Sequence, residues 1–209
     1  MKQIAYIFVA VFMLTACSQS KEKKAEALIK KEMKKSLYKP ESYEPVETKV
    51  DSAFAPMDSP EVFEMLFQLQ ESSQEISDLN SKLKSAMLSM SINSYPYYQS
   101  AYDKYKYDEA KQEYDKASAS LKKQQEKMED LYARITSFAQ QNKGFIGYKV
   151  YHSYRADNNA GNTLVGYCMF YLDSKMEKVL YRLSEDDASK LTDAMKLFSE
   201  HMDEMNQEE

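Results

Sequence analysis

Tryptophan is absent from this 209-residue chain, and only four glycines, five prolines, two cysteines and two histidines are present. So few backbone breakers favour long helices over a sandwich of many short strands. The glycines are too sparse for a phosphate cradle, and no G-x-G-x-x-G or G-x-x-x-x-G-K stretch occurs. His152 and His201 show neither HExxH nor Cys/His spacing, which leaves a zinc ion without a ligand set. The formal net charge is −5. A nucleic-acid binder needs a concentrated basic face, and mild acidity argues against one. Paired acids such as Asp186-Asp187 and Glu129-Asp130 fall on predicted helices, as a first-turn charge and a solvated face. No residue is selected as catalytic, no metal or cofactor is implied, and the chain reads as a non-enzyme.

What is present begins with Cys17. Lys2 precedes an apolar run from Ile4 to Leu14, which is short for a bilayer span of about 20 residues but suits a secretory signal. The run closes on Leu14-Thr15-Ala16-Cys17. This resembles the lipobox of bacterial lipoproteins, in which the cysteine thiol is acylated and the preceding bond is cut. The resemblance implies a signal peptide over residues 1–16, lipidation (palmitate) at Cys17 and a membrane anchor, with a short tether over residues 17–24. Ser18, in place of a retention aspartate, implies the outer membrane. Glu22 alone among three lysines implies the periplasmic leaflet. With Cys17 acylated, Cys168 has no partner in the chain, and its apolar flanks suit an inert, buried thiol.

A lysine-rich helix begins at Lys21, with a weak stripe of Leu28, Ile29, Met33 and Leu37, and Pro40 ends it. Its lysines are read as an ordinary solvated face, with contact to anionic lipid as the alternative. Val46, Thr48, Val50, Ser52 and Phe54 then alternate with Glu47, Lys49 and Asp51, the period of a half-buried strand. Ser59-Pro60-Glu61 opens a long helix with apolar positions Val62, Met65, Leu69, Ile76, Leu79, Leu83, Ala86 and Met90.

After a break at Asn93-Ser94-Tyr95-Pro96, a second long helix repeats Tyr107, Ala110, Tyr114, Ala117, Leu121, Gln124, Met128, Leu131, Ile135 and Phe138. The three-four spacing predicts an antiparallel coiled-coil hairpin over residues 58–143, with arms about 45 Å long. Carried back, its seam falls on Asp103, Ser100 and Pro96, which puts Tyr98, Tyr102 and Tyr105 on the outside. These three are candidate partner-binding residues; the alternative is a shifted frame in which they plug the tip.

Gly144 ends the second arm. Ile146, Tyr148, Val150, His152 and Tyr154 form one face of the next strand, and Asp157 to Asn162 turns the chain. Residues 163–172 are apolar on both faces, which predicts a central strand covered on both sides. Met176 to Leu183 follows, and a Ser184/Asp187 capping box opens a last amphipathic helix.

The expected fold is α+β: a helix on an antiparallel sheet of about four strands, residues 25–57 and 144–205, with the hairpin inserted. The element order resembles the cystatins. Lys39 to Pro45, and Gly147 to Arg155 with Asn158 and Gly161, resemble the opening strand and closing hairpin of a group of small diderm lipoproteins. That likeness implies the fold and carries no activity. The expected function is a membrane-anchored, non-enzymatic lipoprotein whose hairpin binds an envelope protein or glycan. The alternative is an envelope enzyme or enzyme inhibitor acting through the small domain, for which a cleft lined by His152, Arg155 and acids would be the sign.

Overall fold

The computed structural model describes residues 21–94 and 100–207. Cys17, the signal over 1–16 and Tyr98 lie outside them. The fold is α+β, with four helices and a four-stranded antiparallel sheet among the described residues. Helix α1 covers residues 21–36, and a short 3₁₀ turn at Pro40–Ser42 leads into strand β1 (Glu44–Ala55). Then come α2 (Pro60–Asn93), α3 (Ala101–Gln141), β2 (Gly144–Asp157), β3 (Thr163–Asp173), β4 (Val179–Ser184) and α4 (Glu185–Gln207). Contacts divide the chain into two compact units.

The first unit runs to Phe63 and resumes over Phe138–Thr192. Its sheet has the order β1-β2-β3-β4. Helix α1 lies on one sheet face because Ala25, Ile29 and Met33, four residues apart, form a single stripe. Together with Val150, Phe170 and Leu172 they build a core closed to solvent. On the opposite face the Phe63 ring packs 4.8 Å from Tyr171 and 5.6 Å from Tyr181. Asn158 holds the β2–β3 turn by accepting backbone N–H bonds from Ala160 and Asn162. The Ser184/Asp187 box closes as expected: the Ser184 N–H reaches the Asp187 carboxylate at 3.0 Å and the Asp187 N–H reaches Ser184 Oγ at 3.1 Å. The Ser184 hydroxyl, which donates to the Asp187 carboxylate at 2.6 Å, and then the Ser184 N–H hold that carboxyl below its ordinary range.

Two sheet expectations are corrected. The inner face expected of β1 fails at both ends. Val46, the extra residue of a bulge between Pro45 and Glu47, is exposed. Near the second shift, where β2 carries the extra residue Ile146 opposite the Ala53/Phe54 step, Ala53 is buried and Phe54 exposed. Strand β3 is central, but β4 pairs with it only from Cys168 to Leu172. Its first half runs past that neighbour, and Leu164 and Val165 are exposed rather than covered.

The second unit comprises Glu64–Ser137 and Asp193–Glu209. Helices α2 and α3 pack against each other as a hairpin. The least exposed positions of α3 are Ala110, Ala117, Leu131 and Ile135, all in the predicted heptad frame. On α2, Leu69 and Ala86 are buried in the same way. The seam contains a polar layer: Gln124 donates to the Glu75 carboxylate across it, and Ser72 is fully buried. This layer favours one register only through the Gln124–Glu75 bond, which a slip would break; Ser72 Oγ and Gln124 Oε1 are buried without a hydrogen-bond partner among the described residues. The C-terminal half of α4 belongs to this unit, where Tyr132 stacks on His201 at 3.8 Å and on Phe198 at 5.8 Å.

Candidate functional site

The first place to look for chemistry is His152, which β2 points into the core beneath α1. It is fully buried. Tyr43 Oη lies 2.7 Å from its Nε2 and Thr48 Oγ1 lies 3.0 Å from its Nδ1. Burial alone pushes the imidazole down to about 4. Burial, with smaller contributions from Glu26, Tyr154 and Cys168, pushes the Tyr43 phenol up to about 12. At neutral pH the trio is therefore uncharged, and hydroxyls occupy both ring nitrogens. Buried polar groups with complete partners fix a core rather than open a site.

Cys168 sits opposite His152 on β3 and is buried. Its sulfur accepts an Arg182 guanidinium N–H at 3.5 Å, while a second N–H of that group donates to Ser36 Oγ at 2.7 Å. Neither imidazole nitrogen is free to take a thiol proton. Arg155 is exposed, three residues along the strand and so on the other sheet face from His152. His152 and Arg155 therefore share no cleft among the described residues. Among the described residues, no three His, Cys, Asp or Glu side chains are grouped to hold a metal ion.

A shallow cleft of about 320 Å³ lies on that other face, between the β2–β3 ladder and the first turn of α4. Tyr151 and Tyr167 form its wall with rings stacked at 6.1 Å, and Glu185 is its one carboxylate. Cys168 and Ser184 also line it, but the Ser184 hydroxyl is committed to the Asp187 carboxylate as a helix cap and the Cys168 sulfur accepts from Arg182.

The remaining candidate is the end of the hairpin where α2 passes to α3. Residues 85–102 carry no charged side chain. Helix α2 finishes there with Met87, Leu88 and Ile92, and α3 begins with Tyr102. All are more than half exposed, as is Tyr105 one turn on. Tyr102 and Tyr105 therefore face outward, on the side away from the seam. Ser100 caps α3, since its hydroxyl and N–H donate to the Asp103 carboxylate at 2.7 and 2.9 Å and the Asp103 N–H returns to Ser100 Oγ. These bonds hold the Asp103 carboxyl below its ordinary range. The cap fixes the helical phase of the two tyrosines. Met87, Leu88 and Ile92 lie off the three-four frame of α2 that marks the seam, so that frame does not reveal them. The signal that could have found them is the uncharged run itself, bounded by Lys84 and Asp103.

Among the described residues, no helix is long and apolar enough to cross a membrane. Comparison of the chain with protein families, curated proteins and solved structures finds no match.

Proposed function

We propose that this chain is a non-enzymatic lipoprotein, anchored through Cys17 in the outer membrane and facing the periplasm, whose helical hairpin binds a protein partner at the α2–α3 end. The observation that carries the reading is the exposed, uncharged group of Met87, Leu88, Ile92, Tyr102 and Tyr105. Large apolar side chains left exposed in such number are uncommon on a protein surface that nothing covers. Tyrosine offers rigid contact area with a polar tip, and methionine adapts its shape to a partner. Support also comes from the sheet, where α1 fills the face that bears His152 and leaves no room for a substrate.

The test is the variant Leu88→Ser/Tyr102→Ser/Tyr105→Ser. Exposed substitutions cost within about ±0.5 kcal/mol each, so its melting temperature should stay close to wild type. Recovery of the partner in pull-downs from solubilised envelopes should drop at least tenfold, because such residues concentrate binding energy. Unchanged recovery with unchanged stability would refute the proposal.

A further inference from the structure

Helix α1 segregates its charges. Residues 21–37 hold seven lysines and three glutamates, a net +4 in a chain of −5. At 100° per residue, the buried stripe of Ala25, Ile29 and Met33 fixes the inward direction. Glu22 falls in line with that stripe and Glu26 and Glu32 on its two flanks, all three partly buried. Lys23, Lys24, Lys30, Lys31, Lys34 and Lys35 fall on the opposite side and are exposed.

Some of the helix's lysines are engaged. Lys24 Nζ donates to the Lys175 carbonyl at 2.5 Å, Lys35 pairs with Glu32 at 2.7 Å, and Lys21 lies over the Tyr148 ring. Lys23, Lys30, Lys31 and Lys34 have no ion-pair or hydrogen-bond partner among the described residues. Just past the helix end, Tyr38 is 70 % exposed.

We propose that this outer face of α1 docks on an anionic phospholipid surface, with Lys23, Lys30, Lys31 and Lys34 against the headgroups and Tyr38 at the interface. Charge complementarity is the argument. A helix side bearing cations without acids repels its own lysines in solution and is neutralised by a layer of phosphates. Ordinary solvated faces intersperse both signs, and here the acids are drawn to the sheet side. Tyrosine at the edge of such a face suits the headgroup region. The inference deepens the lipoprotein reading and rests on it in one respect. If Cys17 is acylated, the four residues to Lys21 reach at most about 14 Å, which keeps α1 within a short distance of the bilayer. One acyl chain gives marginal attachment, and a polybasic face is a second signal that secures it.

The test is lysine acetylation footprinting by mass spectrometry on the full chain, purified from membranes and reconstituted on vesicles. Vesicles of phosphatidylcholine alone are compared with mixtures containing phosphatidylglycerol. Lys23, Lys30, Lys31 and Lys34 should react more slowly on the anionic vesicles, with Lys84 and Lys123 of the hairpin unchanged as references. The protection should fade at high salt, which screens the headgroups. The variant Lys30→Gln/Lys34→Gln alters only exposed side chains and should fold. It should lose the protection of Lys23 and Lys31, since each neutralised lysine weakens docking about fivefold.

Equal reaction rates on both compositions would overturn the proposal. So would protection by soluble polyphosphate without protection by anionic vesicles, which would assign the face to a different polyanion. Failure to float with neutral vesicles would instead count against acylation at Cys17. The footprint on anionic vesicles would still decide the helix face.

Discussion

Acidification should destabilise the first unit through one side chain, His152. An unfolded chain leaves this imidazole at its ordinary 6.5, whereas burial in the folded sheet pushes it down to about 4. Between these values the unfolded state binds a proton that the folded state refuses, so stability falls as pH falls. The full difference of 2.5 at about 1.4 kcal/mol each bounds the effect near 3.5 kcal/mol. Worked at pH 5, where the unfolded imidazole is almost wholly protonated and the folded one is not, the loss is about 2 kcal/mol. Carboxylates add little in this window, because they titrate mainly below it. Asp187 and Asp103, held low by their caps, extend the loss only at still lower pH.

Urea unfolding at pH 7.5 and pH 5 reads the difference as a shift in midpoint at constant slope. The variant His152→Gln retains an acceptor and a donor for Tyr43 and Thr48 but does not titrate. It should be less stable at pH 7.5 and should lose most of the pH dependence. An equal pH dependence in wild type and variant would refute the reasoning, because the proton would then be taken up elsewhere.

Other consequences follow from packing and from the N-terminal signal. Gly147→Ala should destabilise the sheet toward the upper end of about 1–3 kcal/mol, because its new methyl would meet the Leu172 carbonyl, which is backbone and cannot step aside. Gly166→Ala should cost less in the same denaturation assay, since the methyl meets the Tyr154 ring, 2.5 Å away, and a ring can shift. Amide exchange should quicken along α2 and α3 toward residues 85–94 and 100–105, where fewer side chains are buried than around Leu66 and Leu69; protection there equal to that of β3 would oppose this. Cys17→Ala should abolish labelling by a clickable fatty acid, and retained label would sink the lipoprotein reading.

The long-period features were legible in the sequence because a heptad frame is redundant. Ala110, Ala117, Leu131 and Ile135 each restate the same seam, and one polar intrusion such as Gln124 does not erase it. Short-range alternation is less forgiving. One extra residue, Val46 on β1 or Ile146 on β2, is enough to offset the pairing, and only Gly147 beside the second shift is a residue type that marks such a place. The exposure of Leu164 and Val165 follows from the length of β4, six residues against eleven in β3, which is a property of the partner strand. His152 could be placed on a face from its spacing. Its partners could not, since Tyr43 and Thr48 lie more than a hundred residues away and reach it only through β1–β2 pairing and the turn before β1. The outward phase of Tyr102 and Tyr105 was readable from the seam. The apolar end of α2 that accompanies them was equally readable and needed only a scan for missing charge.

The central claim, that the α2–α3 end of the hairpin is the binding surface, is tested most directly by site-specific photocrosslinking in intact cells. A photoreactive residue at Ile92 or Tyr102 should give one discrete adduct, and the same residue at exposed Lys111 or Lys123 on the outer side of α3 should give none. Adducts of equal yield at all four positions, or adducts only at the two lysine positions, would contradict the account.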